Sequence, residues 1–297
     1  MHLQAKGWQV VLGTRRAVSA PAWLPQAAIA QIDWSNAALS QACKDVDAVV
    51  HTAGMNAQDC AADPVAALEF NGATTGRLAE AAAQSGVKRL IVLSTAHVYA
   101  SPLVGEICEE TSPANPYSYA ASHRAGDAAV LVAGSGAMNR IVLRLSNAFG
   151  APAHKDADCW TLLINDLCRQ AVQSRCMILR SSGLQHRDFI PMQQVCLAIE
   201  HLLRPDTKAA GVINLGAGTS QSVLEIAQLI QWRCLKVLGF EPELQRPQPG
   251  PDEKSQPLHY RTDALTQSGF RIDPEPNAEI EGLLQFCDLN FAAEMRS

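Results

Sequence analysis

The sequence has no excess of basic residues: 24 lysines and arginines stand against 29 aspartates and glutamates, a net charge of −5. No basic footprint therefore invites nucleic acid. No apolar run approaches the roughly 20 residues that a membrane span needs, and no charged-then-apolar leader opens the chain. Membrane and secretion are therefore not expected, and the cytoplasm is. The nine cysteines are scattered, with no Cys-x-x-Cys and no Cys/His group at zinc spacing. They read as reduced structural thiols, and no metal site is expected. No internal repeat is present. The 297 residues are enough for one large domain or two unequal ones, with an ample core.

The stretch around which the chain is organised is Asn115-Pro-Tyr-Ser-Tyr-Ala-Ala-Ser-His123. A proline before it and an alanine-rich run after it mark the start of a helix, since Pro suits helix entry and Ala loses least entropy inside. Tyr119 and His123 then share one helical face. A phenol works as an acid or base near neutral pH only when a neighbour stabilises its phenolate, because its ordinary pKa is about 10. Alone, the pair reads as an ordinary tyrosine on a helix. The context points further: Leu90-Ile-Val-Leu-Ser-Thr-Ala-His-Val-Tyr99 reads as a buried strand ending in hydroxyls, and Arg140-Ile-Val-Leu-Arg-Leu-Ser-Asn-Ala-Phe-Gly150 as another.

Further strands are expected at Trp8–Leu12, Ala27–Asp33, Asp45–Gly54, Cys176–Leu179 and Val212–Gly216. Helices are expected from about Pro64 to Gln84, from Trp160 to Ser174 on an apolar face, and up to about Leu203. Ser35 is placed to cap a short helix. Residues 241–258 carry five prolines and should be extended.

Ser94-Thr95-Ala-His-Val-Tyr99, Tyr119-Ala-Ala-Ser-His123, Leu143-Arg-Leu-Ser-Asn147 and Arg187-Asp-Phe-Ile190, in that order, resemble the extended short-chain dehydrogenase/reductases, the NAD(P)-dependent epimerase/dehydratase group. The resemblance runs over nearly the whole chain, and Asp263-Ala-Leu-Thr-Gln-Ser-Gly-Phe270 resembles the family's closing helix and turn. It implies a Rossmann-like α/β fold, a doubly wound parallel sheet with a small C-terminal substrate domain. The division would be 1–150 for the NAD(P)-binding part, with 184–218 returning to it, and 151–183 with 219–297 for the substrate. It also implies NADP or NAD as cofactor, a nucleotide sugar as substrate, and a homodimer through the helices around Phe70 and His123.

Residue by residue, the resemblance makes Thr95 the catalytic hydroxyl, Tyr119 the acid/base and His123 the occupant of the family's lysine position. Around the cofactor it places Arg15, Asp33, Trp34, Thr52, Ala53, Gly54 and Asn71, together with Tyr119 and His123. Ser94, Asn147 and Arg187 fall to the substrate. Arginines 15 and 16, with no acid beside them, suit the 2′-phosphate of NADP or form a solvated basic turn. Arg187 suits a diphosphate through its bidentate fork, or pairs with Asp188 or another carboxylate. Asn71 is either behind the cofactor or on a helix surface. Dehydratases of the family carry an acid pair where this chain has Ala96-His97, which leaves C4 epimerisation or keto-sugar reduction.

Two departures stand out. His123 replaces the lysine, and the glycine-rich dinucleotide turn is absent together with the first strand, which would lie between those carrying Val10 and Val49. The simplest expectation is that Met1 is an internal methionine of a longer chain. A degenerate, non-catalytic relative that binds or regulates is the alternative.

Overall fold

The computed structural model describes residues 1–134 and 137–292. Helix α1 (His2–Ala5) leads to strands β1 (Val11–Thr14) and β2 (Ala28–Gln31), then α2 (Asn36–Cys43) and β3 (Ala48–His51). Helices α3 (Ala57–Ala62) and α4 (Pro64–Ala67) follow, then a π-helical stretch (Leu68–Thr74) and α5 (Thr75–Gln84). Next come β4 (Arg89–Thr95), a 3-10 turn (Ala96–Val98), β5 (Gly105–Ile107), α6 (Ser118–Val132), β6 (Asn139–Leu145) and β7 (Asn147–Phe149). The rest runs α7 (Leu163–Ser174), β8 (Cys176–Ile178), β9 (His186–Pro191), α8 (Met192–Leu203), β10 (Gly211–Leu215) and β11 (Ser220–Ser222). It closes with α9 (Val223–Leu238), β12 (Glu243–Gln245), β13 (Leu258–Tyr260), α10 (Asp263–Gln267) and α11 (Asn277–Phe291).

Strands β10, β6, β4 and β3 form one parallel sheet in that order, with Val92 opposite both His51 and Val142. Helices cover both of its faces, so its middle strands are apolar throughout rather than alternating. Strands β1 and β2 form a second parallel ladder. Among the described residues β1 pairs only with β2, and β3 only with β4. A groove of about 250 Å³ lies between them, lined by Val11, Leu12, Gly13, Val49, His51 and Leu78. It lies between the strands that carry Leu12 and Val49, where the family resemblance leads one to expect a further strand.

A separate apolar core joins α7, α9 and α11 with Phe149 and Phe189. Cys168, Cys234 and Cys287 are wholly buried there, and burial pushes the Cys287 thiol up to about 12. These are inert packing groups. No helix among the described residues is long and apolar enough to cross a membrane.

Several expected boundaries shift for local reasons. The strand expected at Trp8 starts at Val11, because the Trp8 amide closes α1 by donating to the Leu3 carbonyl at 3.0 Å. The helix expected from Trp160 begins at Leu163, since Trp160 instead donates from Nε1 to the Lys155 carbonyl and packs on Phe286 and Phe291. The helix from Pro64 to Gln84 is continuous but widens into a π turn around Asn71. Residues 241–258 are extended apart from short turns, as their prolines require.

Candidate active site

Strand β4 delivers Thr95 and helix α6 delivers Tyr119 to the same point. The Thr95 hydroxyl lies within hydrogen-bonding reach of the Tyr119 phenol, whose pKa is pushed up by burial and pulled back only in part by that contact. The His123 ring meets the Tyr119 ring edge-to-face, with centroids 4.6 Å apart and planes at 72°. Burial, with His51 nearby, pushes the His123 imidazole down to about 4, so it is neutral at pH 7. It packs against the tyrosine ring and supplies no charge. Arg124, one residue on, points to the surface and donates to the Pro113 carbonyl.

The neighbouring wall is built from close backbone approaches. A Cβ on Gly126 would collide with the Asn71 carbonyl, and a Cβ on Gly76 or Gly72 would lie 3.0 or 3.2 Å from the Ala129 or Ala125 methyl. Only glycine lets α6 and the π turn approach this closely. The approach sets Asn71 inside the protein, 3 % exposed, where it donates to Ser122 Oγ at 3.1 Å and accepts from the Met55 amide at 2.8 Å. It is therefore not a helix-surface residue. Gly54 faces it: a Cβ there would lie 3.5 Å from Asn71 Oδ1 and 3.6 Å from His123 Cε1. Thr52, Ala53 and Gly54 are exposed at the mouth of this wall.

Trp34, in a left-handed conformation at φ 66°, packs edge-on against Phe70 and His51 and leaves its buried Nε1 without a partner. Asp33 is exposed, and the Ser35 side chain, together with the Ser35 amide at 2.9 Å, holds its carboxylate below the usual carboxylate range. Arg15 and Arg16 are exposed on the turn after β1. Phe70 packs on Trp34 and His123 faces Gly54, so both of these residues turn toward the interior.

A cleft of about 390 Å³ has His97, Asn147, Arg187 and Lys254 in its lining. Arg187 also lines a second cleft of about 380 Å³ with Arg169, Arg180 and Trp160. Its expected alternative, an ion pair with Asp188, does not form. The Asp188 carboxylate is taken by Ser146 at 2.6 Å and by the Ala217 and Gly218 amides at 2.7 and 2.8 Å. Among the described residues Arg187 has no ion-pair or hydrogen-bond partner, and partial burial lowers its pKa. Asn147 is steadied by a 2.9 Å bond to the Asp188 carbonyl.

Ser94 is not brought to this cleft. It stands opposite Arg144 in register and is buried without a hydrogen-bond partner of good geometry, beside the Asp127–Arg144 ion pair. Residues in register point the same way, so Ser94 follows Arg144 inward. That ion pair and the buried His51 were not singled out in the sequence, where Asp188 stood only as an alternative partner of Arg187. The available signal was a charged or imidazole side chain inside an otherwise apolar strand, as in Val49-Val-His51 and Val142-Leu-Arg144.

Residues 1–216 match the model of the NAD dependent epimerase/dehydratase family. A dTDP-6-deoxy-L-talose 4-dehydrogenase (NAD(P)(+)) of Kitasatospora kifunensis is 29% identical over 54% of this chain and 52% of its own length. A dTDP-glucose 4,6-dehydratase of Streptomyces niveus is 27% identical over 63% of the chain and 55% of its own. The chain thus spans about half the length of these curated relatives. Among solved structures, the UDP-glucose 4-epimerase of Thermus thermophilus in complex with NAD superposes with a TM-score of 0.77 at 20% identity, over 96% of this chain and 93% of that one. The fold is the Rossmann-like fold of these proteins. With the family model covering well over half of the residues, the chain belongs to the NAD dependent epimerase/dehydratase family.

Proposed function

We propose that the protein moves a hydride and a proton at one carbinol or carbonyl carbon of a nucleotide sugar, with keto-sugar reduction as its easier direction near neutral pH. The observation that carries this is the Thr95–Tyr119 hydroxyl pair with a phenol that stays protonated. A protonated phenol donates to a carbonyl oxygen. The reverse direction needs phenolate, which neutral His123 does not favour. C4 epimerisation uses the same groups in both directions and is the second use of this site.

The residues present fit a dinucleotide at its ribose end. Backbone is open at Gly54 beside Asn71 and His123, and the Trp34 Nε1 donor is buried without a partner. A glycine-rich turn for its pyrophosphate is absent from the 297 residues. When bound, a nicotinamide cofactor supplies or accepts the hydride. Tyr119 holds the proton that moves on or off the sugar oxygen, and Thr95 hydrogen-bonds the same oxygen as charge develops. Unpaired Arg187 and fixed Asn147 are suited to anchor the diphosphate.

The test is reduction of a 4-keto nucleotide sugar, followed by loss of NADPH absorbance. Tyr119→Phe should abolish turnover while cofactor binding survives, since only the ionisable oxygen is removed. Equal rates for both proteins would leave the second reading, a binding or regulatory module. The neutral His123 in place of the family's lysine is what favours that reading.

A further inference from the structure

We propose that residues 247–256 form a lid on the cleft that contains Asn147 and Arg187, and that Lys254 is the cation with which this lid closes on the diphosphate of a nucleotide sugar. This rests on the reading of that cleft as the diphosphate anchor given above. Both ends of the segment are fixed by strands. Ahead of it β12 pairs with β8, and Arg246 donates to the Ser182 carbonyl at 2.6 Å. Behind it β13 pairs with β5, the Pro257 carbonyl accepts from the Gly105 amide at 2.8 Å, and Leu258 is buried.

Between these two anchors every residue from 247 to 256 is exposed. None of them adds to an apolar core, so what holds the segment down is polar and local opening is easy. Among the described residues two hydrogen bonds tie it to the rest of the protein. The Glu253 carboxylate accepts from the Ser182 hydroxyl, and the Ser255 hydroxyl is paired with His186 Nδ1 at 3.0 Å. The Gly250 amide donates to the other Glu253 oxygen at 3.0 Å, which keeps the tip compact. Prolines 247, 249 and 251 fix their own φ and stiffen the arm, so the segment lifts as a unit.

The segment is also a wall of the cleft, which Glu253, Lys254 and Gln256 line together with Asn147 and Arg187. Glu253 is engaged in the latch. Lys254 has no ion-pair or hydrogen-bond partner among the described residues. A diphosphate held by Arg187 therefore meets a second cation, and meets it only while the segment is down. A ligand shifts an equilibrium only through contacts that one state makes and the other does not. Lys254 supplies such a contact, and closure around it excludes water and strengthens the attraction.

Trypsin reads the lid directly, because the bond after Lys254 enters a protease only when the segment leaves the surface. Binding of dTDP-glucose and UDP-glucose to the full chain is measured by calorimetry alongside. At ten times its dissociation constant, the sugar nucleotide that binds should slow cleavage after Lys254 about tenfold. Cleavage after Arg15 and Arg16, in the exposed turn after β1, should not change. Ser182→Ala leaves the cleaved sequence as it is and removes the latch from the other side. Without ligand it should raise cleavage after Lys254 about threefold or more, again with the turn after β1 unaffected. Lys254→Gln should weaken binding about fivefold or more, and less at high salt. The proposal is overturned if bound sugar nucleotide leaves cleavage after Lys254 unchanged, if Ser182→Ala raises it no more than cleavage in the turn, or if Lys254→Gln binds like wild type. In each of these cases the diphosphate reading of the cleft survives, because binding itself was seen. If neither sugar nucleotide binds, that reading falls and the lid falls with it.

Discussion

At the scale of single residues the decisive one is His123. Its position four residues after Tyr119 puts the two rings in contact, yet the contact is edge-to-face and the imidazole is uncharged. A lysine at this position would carry a charge on a longer arm. His123→Lys should then lower the Tyr119 pKa and raise the oxidation rate near pH 7. A shift of one unit is about 1.4 kcal/mol, so the gain is roughly tenfold. The pH–rate profile of the oxidative direction checks this, and an unmoved profile would refute it.

His51 makes a thermodynamic prediction. Its ring is held inside by Thr75 at 3.2 Å, and burial drops its pKa to about 4 from an ordinary value near 6.5. Between those values the unfolded chain binds more protons than the folded one, so this residue's contribution to stability is lost as pH falls from about 6.5 to about 4. Asp188 runs the other way. Burial raises its pKa to about 6, so its native form holds a proton that the unfolded chain has released, and it loses stability as pH rises through that window. The comparison that isolates His51 is wild type against His51→Gln in urea at pH 7, 6, 5 and 4.5. The advantage of the wild type should shrink steadily toward low pH, and a constant difference would contradict the buried neutral imidazole.

At the scale of elements, the seam between α6 and the π turn decides whether the site is assembled. Gly126 has no room for a Cβ against the Asn71 carbonyl, because the obstacle is backbone and cannot rotate away. Alanine normally gains about 1 kcal/mol over glycine within a helix, but forced overpacking costs about 1–3 kcal/mol. Gly126→Ala should therefore lower stability by up to about 2 kcal/mol, seen as a lower urea midpoint at unchanged slope. An unchanged or higher midpoint would show that the seam yields. Much of this seam's outline is readable in the sequence as a helix from Pro64 and a helix after Pro116. The π widening is not, since it follows from the fit of Asn71 against Ser122 and Met55 across the seam.

At the scale of the whole molecule, the turn after β1 and the groove beyond it concern the cofactor. Arginines 15 and 16 stand exposed with no acid beside them, so NADP should bind more tightly than NAD. One charge-assisted phosphate contact contributes about 1.5–3 kcal/mol, or roughly ten- to a hundredfold. Calorimetry with the two dinucleotides tests this, and equal dissociation constants would assign the turn to solvent. The groove between β1 and β3 exposes ladder edges on both sides, an arrangement that favours pairing with another strand. A chain carrying an apolar strand and a glycine-rich turn ahead of residue 1 should therefore melt higher and bind dinucleotide more tightly than residues 1–297. Identical melting and affinity would mean that the two ladders stand without it.

The sequence by itself pointed to buried parallel strands and put Tyr119 and His123 four residues apart on one helix. Apolar runs such as Leu90–Leu93, and a fixed spacing along one helix, are local properties that burial then obeys. Only the tertiary structure decided the charge states and the partners. His123 and His51 are neutral because several elements close over them. Arg187 is free because Asp188 finds Ser146 and two backbone amides from distant segments. Ser94 turns inward because its register partner is Arg144. Each outcome depends on what lies across from a residue in space, and the spacing of residues along the chain does not contain that.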